Sequence, residues 1–472
     1  MTRLSRRCSV PVLGAVLALS LGGCGWFPLL DGSVFQDPGY TPPPARVAPS
    51  LAPTPFGRDV IRAVTTDPLL AGSEARVRGS TAELDGTRAL AMPQLSIGLD
   101  LVAGVLGVTT GTRYLPVVQV SQLLFDGGRM RARMEGARLG VVGRMIERDT
   151  LAAQITLNAA EAWFELAHQR RLLGVARRNL AVHETYIGQL DERLRAGTGI
   201  QGDVEIARGR LASAAARAAT VQADLERAEA NFARIFGTVP RSLATAPLAP
   251  SLPPGTESEL IANSPRLRGL DAAIIVAQAG VEAADASWWP TVTLGVRGQF
   301  DPQTGRAGVE TFGSPRYDVF TGGQHAAAVG VAAARLDELR AERRQLERDI
   351  VRTLSVLRSD ARAGQLRLRS TRDAVRANAA SVASARERFA IGRASILQLL
   401  DAQRDLASAE ELASIAERDL SLSGYAALAL TGDIVHAFGL SLPGLDQALN
   451  GRRGSAWAGP ASQPADATVT PP

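Results

Sequence analysis

The chain repeats itself, and the repeat limits what it can fold into. Phe125-Asp126-Gly127-Gly128 returns as Phe320-Thr321-Gly322-Gly323, 195 residues later. Leu194, Gly197, Ala207 and Leu211 return as Phe389, Gly392, Ala402 and Leu406 at the same offset, and Gly237 returns as Gly432. More than one hundred residues therefore repeat without an insertion, which chance apolar periodicity does not produce. Upstream the offset is 197: Asp67-Pro68-x-Leu70 matches Ser264-Pro265-x-Leu267, and Pro93 matches Pro290. The change falls between Gln94 and Leu124, as a loop tip tolerates.

Within each repeat the apolar period is that of helices. A seven-residue series runs from Met145 through Ala152, Ala159, Leu166, Leu173, Leu180, Ile187 and Leu194, a coiled-coil seam. No proline interrupts Gly128 to Ala196, so one helix of roughly 100 Å is expected, ended by Gly197 and Gly199. A second seam from Val204 to Ile235 stops at Gly237. Leu354, Leu368, Val375, Val382 and Phe389, then Leu399, Ala402, Leu406, Ala413 and Leu420, echo both seams. Gln169, His183, Thr371 and Asn378 interrupt them and are read as polar residues that fix register.

The expected first repeat covers 67–237, with helices at about 68–92, 128–196 and 202–236. The second covers 264–432, with helices at about 265–289, 323–391 and 397–431. Strands fall within about 94–124 and 291–319. Leu95, Ile97, Leu99 and Leu101 alternate with Ser96, Gly98 and Asp100, and Val292, Leu294, Val296 and Phe300 alternate with Thr293, Arg297 and Gln299. Alternation over about ten residues suits a membrane-barrel strand, although by itself it also fits two soluble hairpins. Four strands cannot close a barrel, so closure requires several chains.

The N-terminus is an address. Arg3, Arg6 and Arg7 precede an apolar run from Val10 to Leu21, and Leu21-Gly22-Gly23-Cys24 follows, the layout of a secretory signal over 1–23. The run is too short to span a bilayer permanently. Its end resembles the bacterial lipobox, which implies a covalent lipid on Cys24, and Gly25 points to outer-membrane sorting. Residues 24–66 are expected as a lipidated N-terminus with a proline-rich tether from Pro38 to Pro55, 238–263 as a connector, and 433–472 as a further segment with a disordered tail. The net charge of +5 falls to about +2 once the signal arginines are lost, too little for a nucleic-acid footprint. All 52 basic residues are arginine, a compositional bias rather than a binding patch.

No catalytic or metal constellation emerges. His168, His183, His325 and His436 lack metal-ligand spacing with cysteine or carboxylate, and Gly104 to Gly111 lacks the lysine of a phosphate loop. The expectation is a protein that is not an enzyme and uses no cofactor.

Together these features resemble the TolC family of outer-membrane efflux and secretion channels. The pattern is Asp67-Pro68 or Ser264-Pro265, a proline-led strand, Phe-x-Gly-Gly opening a long helix, then a hairpin glycine followed ten residues on by alanine, all twice. It covers roughly Asp67 to Asp433. The resemblance implies a mainly α fold with a small membrane β-barrel: a homotrimer whose four strands per chain make one twelve-stranded barrel, continued by a periplasmic helical tunnel. It also implies an equatorial belt from 242–263, 434–450 and part of 54–66. The implied function is the passive exit duct of a tripartite efflux pump or type I secretion system, opened by an inner-membrane transporter and a periplasmic adaptor. The cargo is not legible. A rival reading, a non-pore periplasmic coiled-coil adaptor or structural lipoprotein, leaves the strand pairs at equivalent places in both repeats unexplained.

The resemblance also assigns sites. Gly197, Thr198, Gly392 and Arg393 are implied as the tips that meet the adaptor. Asp203 and Asp401 are implied at the periplasmic gate, Asp401 ringing the constriction and Asp203 helping to hold it shut. Gln398 stands where a second ring aspartate is expected, and Phe389 and Ala394 where tyrosine and arginine would latch the gate. Arg393 or Arg195 is expected to substitute.

Overall fold

A computed structural model describes Tyr40 and residues 42–104, 111–302 and 305–440. These divide into two compact units, one built from 78–143 and 272–341, the other from 40–77, 144–271 and 342–440.

The first unit holds one antiparallel sheet of four strands, β1 Gln94–Gly104, β2 Gly111–Phe125, β3 Thr291–Asp301 and β4 Arg306–Arg316, ordered β1-β2-β3-β4. Register aligns the alternation across the sheet. Leu95↔Val120, Ile97↔Val118 and Val120↔Val296 share one face, and Ser96↔Gln119, Gln119↔Arg297 and Arg297↔Glu310 share the other. The apolar face is bare: Leu95, Ile97, Leu99 and Leu101 are all more than half exposed. A soluble hairpin would bury such a stripe. The last strand ends at Arg316, short of the expected limit at about 319.

The helices are α1 Pro55–Thr65, α2 Pro68–Ala89, α3 Arg129–Arg195, α4 Gln201–Phe236, α5 Glu257–Ile261, α6 Pro265–Asp285, α7 Gln324–Ala390, α8 Ile396–Thr431 and α9 Ile434–Ala437. The helix ahead of each strand pair is shorter than expected. α2 stops at Ala89, and α6 gives way to a 3-10 turn, Ala286–Trp288. α3 and α7 have 67 residues each, α4 and α8 36 each. Both long helices end alike. Gly197 and Gly392 each take φ of 73°. Thr198 N donates to Arg193 O at 3.0 Å, as Arg393 N does to Arg388 O at 2.8 Å. This is a left-handed glycine cap made twice, 195 residues apart. No described helix is long and apolar enough to cross a membrane.

The second unit is built around Phe56, which is fully buried and meets the rings of Trp163, Phe164, Tyr425 and Phe438 at 5.3–5.9 Å. The two ring polar groups are satisfied by the connector: Trp163 Nε1 donates to Ala244 O at 3.3 Å, and the Tyr425 hydroxyl to Pro247 O at 2.9 Å. The expected tether is largely part of this body. From Tyr40 onward it is docked, with Val47 and Leu51 buried. Arg46 clasps Asp433 through Nε at 3.1 Å and Nη2 at 2.8 Å, and also donates to the carbonyls of Glu259, Leu260 and Thr431. The reason is that a guanidinium fork satisfies a carboxylate and several orphan carbonyls at once. Of the polar seam residues, Asn378 ties helix to helix, donating to Asp405 O at 3.2 Å. Thr371 bonds its own helix at Arg367 O and Gln169 bonds Glu165 one turn away, so neither fixes register.

Candidate functional site at the helical hairpin tips and the polar sheet face

The two helical hairpins, α3 with α4 and α7 with α8, bury one common cluster. It comprises Tyr186, Leu190, Val204, Ala207, Ala385, Phe389, Ile396, Leu399 and Leu400. Beyond it the chain turns, leaving Gly197, Thr198, Gly392 and Arg393 exposed at the ends. Phe389 finds a new partner, the Arg193 guanidinium 4.3 Å above its ring, a cation–π contact across the two repeats.

The gate candidates separate. Asp401 lies in the first turns of α8, where Arg210 of α4 reaches it at 3.1 Å and Arg404 at 3.6 Å. Asp203 is half-buried in the first turn of α4 and forms no ion pair among the described residues. Gln398 is exposed, and its backbone N–H bonds the capping Ser395 Oγ at 3.3 Å. Neither Arg393 nor Arg195 forms an ion pair among the described residues. Within the chain Asp203 thus has no latch from either exposed tip arginine, while Asp401 pairs with Arg210 because α4 and α8 lie side by side there.

Above this, charged rungs join the repeats. Arg178 of α3 meets Glu410 of α8 at 3.1 Å, and Arg171, one heptad earlier, meets Glu417. Arg418 meets Glu165 at 3.1 Å, and Arg217 of α4 meets Glu411 at 2.7 Å. Such half-exposed pairs contribute little individually, about 0–1 kcal/mol, but they fix which residues face each other. Two histidines are buried among them. His168 Nδ1 lies 2.8 Å from Ser414 Oγ, and His183 Nδ1 has no partner. Burial, then Arg418, pushes His168 below its ordinary pKa, and burial, then Arg210, does the same to His183. Burial therefore favours the neutral form of both rings.

In the first unit, the polar sheet face carries a cross-strand cluster. Arg297 of β3 donates to Gln119 Oε1 of β2 through Nε at 3.1 Å and Nη2 at 2.9 Å, with Glu310 of β4 at 3.8 Å. Phe312 lies over Gly295, where a Cβ would stand 2.3 Å from its ring; the glycine makes room for an aromatic on this face. Sequence reading placed Arg297 on the polar side but did not single it out. Cys24 lies outside the described residues. Among the described residues no group of three His, Cys, Asp or Glu could hold a metal ion.

A duplicated unit of paired strands and long helical hairpins, with a bare apolar sheet face backed by a polar one, defines the channel class of outer-membrane proteins. The chain belongs to the outer membrane efflux protein family, whose model matches residues 62–238 and 257–430. It is 23% identical over 390 residues to the outer membrane efflux protein BepC of Brucella suis biovar 1 (strain 1330), covering 79% of this chain and 84% of BepC. It is 24% identical over 359 residues to a Salmonella typhimurium protein named Probable outer membrane lipoprotein SilC, covering 71% of this chain and 76% of SilC. Among solved structures, the outer-membrane channel OprN superposes with a TM-score of 0.73 at 24% identity, covering 84% of this chain and 99% of OprN.

Proposed function

We propose that this outer-membrane efflux protein works as a homotrimeric exit duct, anchored by a lipid on Cys24 and engaged by a periplasmic adaptor and an inner-membrane transporter. The transporter belongs to a tripartite pump or a type I secretion system. One observation carries the reading: Leu95, Ile97, Leu99 and Leu101 of β1 share one face with Val292, Leu294, Val296 and Phe300 of β3, Ser96, Asp100, Thr293, Arg297 and Gln299 lie on the other, and among the described residues β1 and β4 each leave one edge unpaired. Such a sheet is complete only when other copies close it, apolar side to lipid and polar side to water. A periplasmic adaptor or structural lipoprotein has no use for it.

The hairpin tips supply the docking end, since glycine lets a partner backbone approach closely. At the gate, Asp401 of each copy is held by Arg210 of the same copy, so each ring carboxylate is partly offset before the copies meet. Asp203 is the carboxylate free to repel its symmetry mates as the tunnel narrows. The name of SilC supports the lipid, which the Leu21-Gly22-Gly23-Cys24 site motivates.

The test is mass and transport together. Solubilised in detergent, the native protein is expected to have the mass of three copies; a monomer or dimer overturns the duct. Gly197→Trp with Gly392→Trp is expected to block export while leaving trimers in the outer membrane, and unchanged export contradicts the tip contact. Cys24→Ser is expected to abolish incorporation of labelled palmitate, and continued labelling removes the anchor.

A further inference from the structure

A cavity of about 580 Å³ lies in the second unit, between α3, α7, α8 and the connector. Five arginines line it, against a single lining carboxylate among the described residues, that of Glu417. The rest of its wall is largely apolar, through Phe164, Leu243, Leu248 and Leu368. Hydrogen bonds hold the walls in place. Arg170 Nη2 donates to Pro240 O at 2.7 Å and Trp163 Nε1 to Ala244 O at 3.3 Å, fixing the connector to α3. The contact of His168 with Ser414 at 2.8 Å fixes α3 to α8. The cavity is therefore part of the fold, formed before any ligand arrives.

Three of its arginines are matched. Arg171 pairs with Glu417, Arg170 with Glu229 at 3.4 Å, and Arg418 with Glu165 at 3.1 Å. The other two, Arg241 of the connector and Arg372 of α7, are exposed, and neither side chain has a partner among the described residues. The duplication explains why Arg372 is left over. At the 195-residue offset it corresponds to Arg177, and Glu417 corresponds to Gln222. In the first repeat these positions meet, Arg177 Nη2 donating to Gln222 Oε1 at 3.1 Å. In the second repeat Glu417 is taken by Arg171 of α3. Two positive charges thus stand unbalanced beside an apolar wall, the combination that an anion with an apolar body satisfies.

We propose that this cavity binds an amphipathic organic anion: an aromatic or alicyclic body against Phe164, Leu243 and Leu368, with one carboxylate or sulfonate met by Arg241 and Arg372. The site lies within one copy. It adds to the exit-duct reading a ligand site apart from the hairpin tips and from Asp401.

Calorimetric titration of the full chain, purified in non-ionic detergent, tests the site with naphthalene sulfonate as the probe. Saturable binding of one probe per chain is expected. Arg241→Gln with Arg372→Gln is expected to weaken it about tenfold or more, because both lost contacts are charge-assisted. Arg362→Gln with Arg369→Gln removes the same charge from exposed positions of α7 outside the cavity and is expected to leave the affinity unchanged. All four side chains are exposed, and an unaltered native mass and helical content show that each variant folds. Absence of saturable binding to the unmodified protein overturns the site, and equal affinities in the two double variants overturn its location. Neutral naphthalene sulfonamide binding as tightly overturns the role of the arginines, and methanesulfonate binding as tightly overturns that of the apolar wall. Mass and export, which judge the duct, are measured separately and are untouched by any of these outcomes.

Discussion

α3 and α7 are one helix made twice, with equal length and matching glycine ends, yet they live in opposite surroundings. Between residues 160 and 189, α3 buries Trp163, Leu166, His168, Leu172, Leu173, Val175, Ala176 and Tyr186. Over the equivalent 355–384, α7 buries Gly364 alone. Trp163, at the centre of the aromatic core, corresponds to Arg358, whose partner is Glu257 at 3.6 Å. Duplication preserved what sets the backbone, its turns and lengths. Over this stretch the side chains then diverged until the first long helix became the core of the chain and the second became surface. On the homotrimer proposal, Val356 and Leu366 of α7, each more than half exposed, fall where another copy would pack.

That asymmetry can be broken at chosen positions. Trp163→Ala is expected to cost about 3–5 kcal/mol by leaving a cavity beside Phe56, whereas Arg358→Ala costs at most about 1 kcal/mol; thermal denaturation of both variants checks the contrast. Leu366→Asp is expected to leave the helical content of the chain intact and lower the native mass from three copies to one, which light scattering in detergent measures. An unaltered trimer would mean that α7 faces solvent in the assembly. The helix starts are also unequal. Asp126 accepts from Gly128 N at 3.1 Å and Met130 N at 2.6 Å, while Thr321 contributes only its carbonyl, to Gln324 N. Asp126→Ala is therefore expected to destabilise by about 1 kcal/mol, and Thr321→Ala by clearly less, in the same melting assay.

The smallest effect concerns acid. His183 corresponds to Asn378, so only the first repeat titrates at this seam. Its folded pKa is depressed by burial and Arg210, so the unfolded chain takes up the proton first as pH falls below about 6.5. Stability is then full above that pH and declines below it, through the window down to the lowered folded value. His183→Asn is expected to flatten the decline, measured as melting temperature against pH.

Much of this was legible in the sequence, for a physical reason: backbone signals repeat. The 195-residue offset located both Phe-x-Gly-Gly turns, both hairpin glycines and both helix ends, because left-handed caps and uninterrupted helices depend on local residue types. Strand faces were legible from alternation, and the sheet register then aligned them. What escaped depends on distant partners. Arg46 and Asp433 lie 387 residues apart with no pattern linking them. Arg210 was not singled out as the partner of Asp401, since nothing local says that α4 and α8 lie side by side. β4 was expected as far as Val319 because its residues look like strand, and it stops at Arg316 because no neighbour pairs with the rest.

The claim beneath all of this is that three copies of the sheet enclose water across a membrane. Purified, lipidated protein incorporated into a planar bilayer tests it directly. The account predicts discrete unitary conductance steps, with a larger open fraction in Arg210→Ala, where Asp401 loses its partner across α4 and α8. Trimeric protein inserted in the membrane that passes no current, in the native form and in Arg210→Ala alike, would contradict it.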